Sequence, residues 1–409
     1  MKLYNGLNNL IAFFILLGFY SILLLSYNIF PEMETTTTSI YVRILIVFLI
    51  LVIFIIKPFK YNKYTLFLLF IFSIVYCTNI CIAMFDQETN WFREPKIILM
   101  YYGMYAIVPF LFFAKKESKF LQNSLKVMII NSGILFSFLT ALFYSSVLMN
   151  FGGRISMLQY ILGEETKVIN PLIFSYVASI TIGLIICELL FNHQLKSGLR
   201  TYLYFGCAIS LIPFILGASR GSIFSLFLPF IYILFKSKYT IKKGQLILGM
   251  LTLISVLLII SNITDSALVT RFISIASDNK DSTSFTRLNI WMTSIEQATK
   301  NIIFGHGLQN NLINHYPHNI FIEVLLATGL VGLSIFFVIV FHAFRLSGNI
   351  VRTKKEHIWI IIIFQQGLIQ SLFTGAIADS IIFWTGIGLI FSSRKYISFR
   401  QEISRNYSW

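Results

Sequence analysis

The sequence predicts an all-α, polytopic integral membrane protein with about 12 transmembrane helices and one large loop between two of them. Three observations carry this. Hydrophobic residues make up 56% of the chain and charged residues only 12%, against about 25% charged in a soluble domain. Apolar runs of about 18 residues or more, each able to cross a ~30 Å hydrocarbon core, recur along the whole length. Lysine and arginine collect in alternate connections, the pattern of cytoplasmic loops. No polar stretch exceeds about 60 residues, so residues 1–409 read as a single membrane domain.

Taken in order, the first apolar run follows a short start with Lys2. It is too long for a signal-peptide core and has no small-residue cleavage site, so it reads as a retained helix. Spans are expected at 8–29, 40–57, 64–84, 97–114, 125–149, 171–191, 201–218, 221–236, 246–262, 320–343, 358–376 and 379–393. The connections KPFKYNK, AKKESKFLQNSLK, NHQLKSGLR, KSKYTIKKG and FRLSGNIVRTKKEH are basic. PEMETTTTS, FDQETNWFREPK and the loops near 150–170 and 262–319 are mixed or acidic. Both termini are therefore expected in the cytoplasm, with the large loop 262–319 and the smaller loop 150–170 facing outward. This bias also accounts for the net charge of +15, and nucleic-acid binding is not needed to explain it. Cys77, Cys81, Cys187 and Cys207 all fall in apolar runs without metal spacing and read as small buried hydrophobes. No inverted repeat or pair of broken helices stands out, which argues against a secondary transporter.

The outward face holds the residues suited to chemistry. Arg220, in ILGASRGSIFSLFLPF, sits at a tight turn between two spans. An arginine there must snorkel, pair with an acid or meet an anion, and a guanidinium grips phosphate with two parallel bonds. Arg287 and Trp291 lie on a segment, 284–301, with apolar residues at helical spacing. That describes an amphipathic helix on the membrane surface, capped by Ser284, with Arg287 in its first turn. His318, in YPHN, precedes the helix that begins at Ile320. It reads as an exposed loop histidine fit to move a proton, and Asn319 as the helix cap. His306 and His315 lie close in sequence, but no cysteine or carboxylate completes a zinc-ligand spacing, so no metal or other cofactor is expected. Gly305 and Gly307 fit a turn, and Gly329 and Gly332 fit close helix packing. Glu323, one turn into a membrane helix, needs a partner, for which an arginine is the obvious choice. Asp379 poses the same problem at the last span, and Arg154 and Arg271 are further outer-face cations. Each has an ordinary reading as a solvated or interfacial side chain; together they suit an anionic, lipid-anchored substrate.

The motifs SRG at a helix hairpin, TRLNIWMTSIEQA, FGHGLQNN and PHNIFIEVLLATGLVG resemble the O-antigen polymerase and O-antigen ligase superfamily of bacterial membrane glycosyltransferases. The most specific part is HN-x₉-G-x₂-G, made by His318, Asn319, Gly329 and Gly332. The resemblance implies a multi-pass protein of the bacterial inner membrane acting in O-antigen and lipopolysaccharide biosynthesis. Such enzymes transfer glycans from undecaprenyl diphosphate at the periplasmic face, without a nucleotide sugar or required metal. It assigns Arg220 and Arg287 to the diphosphate and His318 to the acceptor hydroxyl, as the candidate catalytic residues. Arg154, Arg271, Trp291, Asn319, Glu323 and Asp379 complete the candidate substrate-binding set. Partners implied are a lipid-linked oligosaccharide donor and acceptor, with room for a chain-length regulator and a flippase. The PHNIFIE form and the GGRIS loop favour a polymerase; a ligase acting on lipid A–core is the alternative, and a polysaccharide flippase or transporter the reading from another class.

Overall fold

The computed structural model describes residues 2–29, 35–86, 89, 91–115, 119–150, 170–192, 194–237, 244, 247, 249–252, 254–255 and 282–393. Most of the span expected at 246–262, most of the 150–170 loop with Arg154, and the front of the large loop with Arg271 lie outside these residues. The helices, in chain order, are α1 (Lys2–Ile15), α2 (Leu17–Ile29), α3 (Thr35–Ile56) and α4 (Lys63–Met84). There follow α5 (Pro95–Ala114), α6 (Lys119–Asn150), α7 (Pro171–Phe191), α8 (Ser197–Gly217) and α9 (Arg220–Lys236). The last four are α10 (Ser282–Thr299), α11 (Ile320–Thr353), α12 (Ile358–Phe373) and α13 (Ile381–Ser392).

Among the described residues seven helices are long and apolar enough to cross a membrane, or eight if the bent pair α1–α2 is one span. Of the other spans among the 12 expected, 246–262 lies mostly outside the described residues, and three are short. α9, α12 and α13 have 17, 16 and 12 residues, short of the ~20 needed for a full crossing. The expected span 8–29 is bent by 63° between α1 and α2, where a side chain at Gly18 would run into the Phe13 ring. In α5 a π-helical stretch, Tyr102–Ile107, precedes Pro109; proline has no N–H and crowds the preceding turn, and the wider turn absorbs both defects. Exposed positions on these helices are as apolar as buried ones, Phe48, Ile55, Phe70 and Phe341 among them. Such surface is tolerated when its solvent is hydrocarbon. Of the four cysteines only Cys187 is buried, and none forms a disulfide.

The chain divides into two compact units, each drawn from three stretches of sequence. The first contains α1–α3, α6–α9 and the start of α12. Gly217 ends α8 where a side chain would collide with the Ser175 backbone and the Pro171 carbonyl, so α8 closes tightly on α7. A buried hydroxyl ladder joins α7 to α9: Ser179 Oγ lies 2.8 Å from Ser225 Oγ, and Gln366 Nε2 donates to the Ser179 carbonyl at 3.1 Å. Lys126 on α6 pairs with Glu188 on α7 at 2.6 Å, their side chains 10% and 13% exposed. Asn192 Nδ2 donates to the other Glu188 oxygen at 2.6 Å. Lys126→Met should strand this carboxylate and cost about 3–5 kcal/mol. The double variant Lys126→Met/Glu188→Gln should recover most of it, as read from thermal unfolding in detergent.

The second unit contains α4, α5, α10, α11, the end of α12, and α13. Its core is aromatic: Phe72, Tyr76, Tyr102, Phe336 and Trp384 pack with ring centroids 4.9 to 6.4 Å apart. The Trp384 indole N–H donates to the Ile377 carbonyl at 2.9 Å. α11 is interrupted at Gly329, with φ 61° and ψ −162°. Beyond the break Leu330 and Val331 donate to the carbonyls of Ile302 and Ile303 (2.8 and 3.2 Å), while the Leu326 carbonyl accepts from His306 N–H at 2.8 Å. The 302–306 backbone thus stands in for the missing helical turn, meeting groups that would otherwise be orphaned. Gly329 therefore does not serve helix–helix packing as expected: a side chain there would strike the Ile303 carbonyl, and one at Gly305 (φ 93°) the Ala327 carbonyl.

Candidate functional site

The 309–315 loop is tied to one face of α10. Asn310, fully buried, donates from Nδ2 to Thr293 Oγ1 at 2.7 Å and Ser294 Oγ at 2.9 Å. Gln297 donates to the Gln309 carbonyl (3.0 Å) and accepts from Asn311 N–H (2.9 Å). The polar face of α10 is thus the one turned into the protein. Leu288, Met292 and Ile295 lie exposed on the other face, inverting the usual arrangement and suiting a helix that lies against lipid. α10 begins at Ser282, so Ser284 lies inside the helix and does not cap it. Arg287 is in the second turn, past the free N–H groups expected to share an anion with it.

The loop delivers the chain to His318. Trp291 Nε1 donates to the Pro317 carbonyl at 2.9 Å, fixing the residue before it. Asn319 Oδ1 accepts from the N–H groups of Phe321 (3.1 Å) and Ile322 (3.4 Å), capping α11 as its position predicts. Between these anchors His318 adopts φ 56°, a left-handed conformation that costs a side-chain-bearing residue roughly 1–2 kcal/mol. The histidine is half-buried, not exposed as expected. Its ring packs on Tyr316 at 4.6 Å and His315 at 4.7 Å. Burial first, then the charges of His315 and Arg287, bring its pKa down to about 4, against a hydrogen bond with the Thr374 backbone. Its Nδ1 has no hydrogen-bond partner among the described residues. At neutral pH the ring is uncharged, and Nδ1 can accept a proton.

Two carboxylates complete this unit's site. Glu323, 4% exposed, accepts from Ile377 N–H at 3.0 Å. That backbone group, and not an arginine, is the hydrogen-bond partner Glu323 has among the described residues. Asp379 accepts from Ala376 N–H at 2.9 Å on Oδ1, and its Oδ2 lies 3.3 Å from Nη1 of Arg93. Arg93 is a residue that sequence reasoning passed over. Its guanidinium lies over the Tyr101 ring (4.7 Å) and the Tyr316 ring (5.6 Å). The signal available was that both Arg93 and Asp379 fall at outward connections, where each needs a counter-charge. Among the described residues no three His, Cys, Asp or Glu side chains are arranged to hold a metal ion.

Arg220 belongs to the first unit, as the first residue of α9. Ala218 in the left-handed region (φ 41°) and Ser219 make the tight turn from α8 that the sequence suggests, and Arg220 is half-exposed. So Arg287, Trp291, His318, Asn319, Glu323 and Asp379 come together in one unit, and Arg220 stands in the other. Arg154 and Arg271 lie outside the described residues.

No curated protein matches the chain. Residues 205–337, which hold Arg220, Arg287, His318 and Gly329, match the family model Wzy_C, described as O-antigen ligase. Over residues 205–337, less than half of its length, the chain is thus similar to the Wzy_C family of O-antigen ligase and polymerase type.

Proposed function

We propose that the protein polymerises a surface polysaccharide, moving a growing glycan from undecaprenyl diphosphate onto a lipid-linked repeat unit at the periplasmic face of the inner membrane. The observation that carries this is the neutral, half-buried His318 with an unpartnered Nδ1, set near Arg287 within a stretch of the Wzy_C family. In the reaction an acceptor hydroxyl attacks the anomeric carbon and the carbon–oxygen bond to the diphosphate breaks. The diphosphate leaves with the electron pair, the configuration inverts, and His318 Nδ1 takes the hydroxyl proton as it becomes acidic. Arg287 stabilises the charge that develops on the leaving group. For Arg220 the same role rests on the resemblance alone.

A second reading, transfer onto lipid A–core, is favoured by the description of the matched family as a ligase. The acceptor separates them. Purified enzyme given a lipid-linked repeat unit as sole substrate should produce a ladder of products on a gel. Transfer seen only after lipid A–core is added would establish the ligase. Absence of transfer under both conditions would point to a transporter.

A further inference from the structure

Two segments far apart in sequence meet at the Arg93–Asp379 pair; one reaches His318 itself, and the other the two rings that pack on it. The connection between α12 and α13 offers its Thr374 backbone to the His318 ring, its Ile377 N–H to Glu323, and Asp379 to Arg93. The connection between α4 and α5 carries Arg93 and Phe92. The Phe92 ring packs on His315 at 4.1 Å, and its N–H donates to Gln309 Oε1 at 2.8 Å. The Arg93 guanidinium covers the Tyr316 ring, which itself packs on His318.

We propose that Arg93 is a positioning residue for His318: its ion pair with Asp379 clamps these two connections so that the imidazole is held against Tyr316 and the Thr374 backbone. This rests on the proton-transfer role given to His318 above. An arginine suits the task because its planar head can lie on an aromatic ring and meet a carboxylate at once, which a lysine ammonium cannot do as well. The pair is about a quarter exposed, at 23% and 27%, so solvent screens its attraction and its effect is chiefly geometric. Geometry is what His318 needs, because a left-handed backbone persists only where its surroundings over-determine it.

The clamp has a signature in pH. The charged and titratable groups around His318 are His315 and Tyr316 on its own segment, Arg287 on α10, and the Arg93–Asp379 pair behind Tyr316. Without Arg93 the ring gains water, the burial that disfavours its protonation weakens, and its pKa rises toward the ordinary value of about 6.5. More of the base is then protonated at pH 6 than in wild type, while at pH 8 it stays neutral. A purely structural loss would scale the rate equally at both pH values.

The test compares purified full-chain wild type, Arg93→Ala, Arg93→Lys and His318→Ala, with a lipid-linked repeat unit at pH 6 and pH 8. Arg93→Ala is expected to lower kcat by about 10-fold or more, with donor KM changed less than about 3-fold. Its ratio of rates at pH 6 and pH 8 should fall about 3-fold or more below that of wild type, and Arg93→Lys should recover part of both losses. A His315→Gln enzyme, carried through the same comparison, assigns the acid limb to the correct ring. Wild-type kcat in Arg93→Ala, or an equal loss at both pH values, overturns the proposal. Should Arg93→Ala fail to yield folded protein, Arg93→Gln replaces it, with the same expected shift and the same overturning results. Transfer that survives His318→Ala sinks the assignment of His318, and the positioning role with it, whatever Arg93 does.

Discussion

Transfer by a His318→Ala enzyme is expected to fall about 10²- to 10⁴-fold, the usual worth of a positioned acid–base group, with donor binding nearly unchanged. Nδ1 makes no structural bond, and the ring's hydrogen bond with the Thr374 backbone orients the base without being part of donor binding, so the loss should appear in the chemical step. Single-turnover transfer beside equilibrium donor binding separates the two. His318→Asn is the stricter variant, because asparagine tolerates the left-handed backbone at this position. A transfer rate within about 3-fold of wild type in the asparagine variant would remove His318 from the chemistry. The pH profile gives a second check. With a pKa of about 4 in the free enzyme, His318 is neutral above that pH and is lost as a base when the pH falls through it. A bound diphosphate adds negative charge, which favours the imidazolium, so the acid limb of kcat should lie at higher pH than that of kcat/KM.

Gly329→Ala is expected to destabilise the protein by about 3–5 kcal/mol, at the extreme end for a single methyl group. The backbone here, φ 61° and ψ −162°, is a region open essentially to glycine alone. The added methyl would also strike the Ile303 carbonyl and part the Leu330–Ile302 and Val331–Ile303 hydrogen bonds. Gly103→Ala, where a side chain meets nothing within 4 Å, is the control. Thermal unfolding of the two variants in detergent decides the point. Equal melting temperatures would show that the break in α11 is not held by Gly329.

The helices that cross the membrane were legible because long apolar runs have few alternatives, and α4, α7 and α8 fall within a few residues of their expected bounds. The breaks were not. Hydropathy is as high through Leu16 and Gly329 as on either side, since a bend depends on a local contact and not on polarity. The apolar period of α10 was visible, but which face turned inward depended on Asn310 and Gln297, whose partners lie on a loop without periodicity. Asn319 could be read as a cap because capping is local. The Arg93–Asp379 pair spans 286 positions, and no local rule connects residues so far apart. For the same reason the backbone partner of Glu323 was out of reach.

The short helix from Ile320 to Thr328 joins His318 at one end to the splice at Gly329 at the other. At 1.5 Å per residue it is a rod of about 13 Å. An inserted or deleted residue would turn one end by roughly 100° relative to the other, breaking either the contact of Glu323 with the α12–α13 connection or the seat of the 302–306 backbone. The x₉ in HN-x₉-G is thus a dimension of the molecule: it fixes how far the histidine stands from the splice.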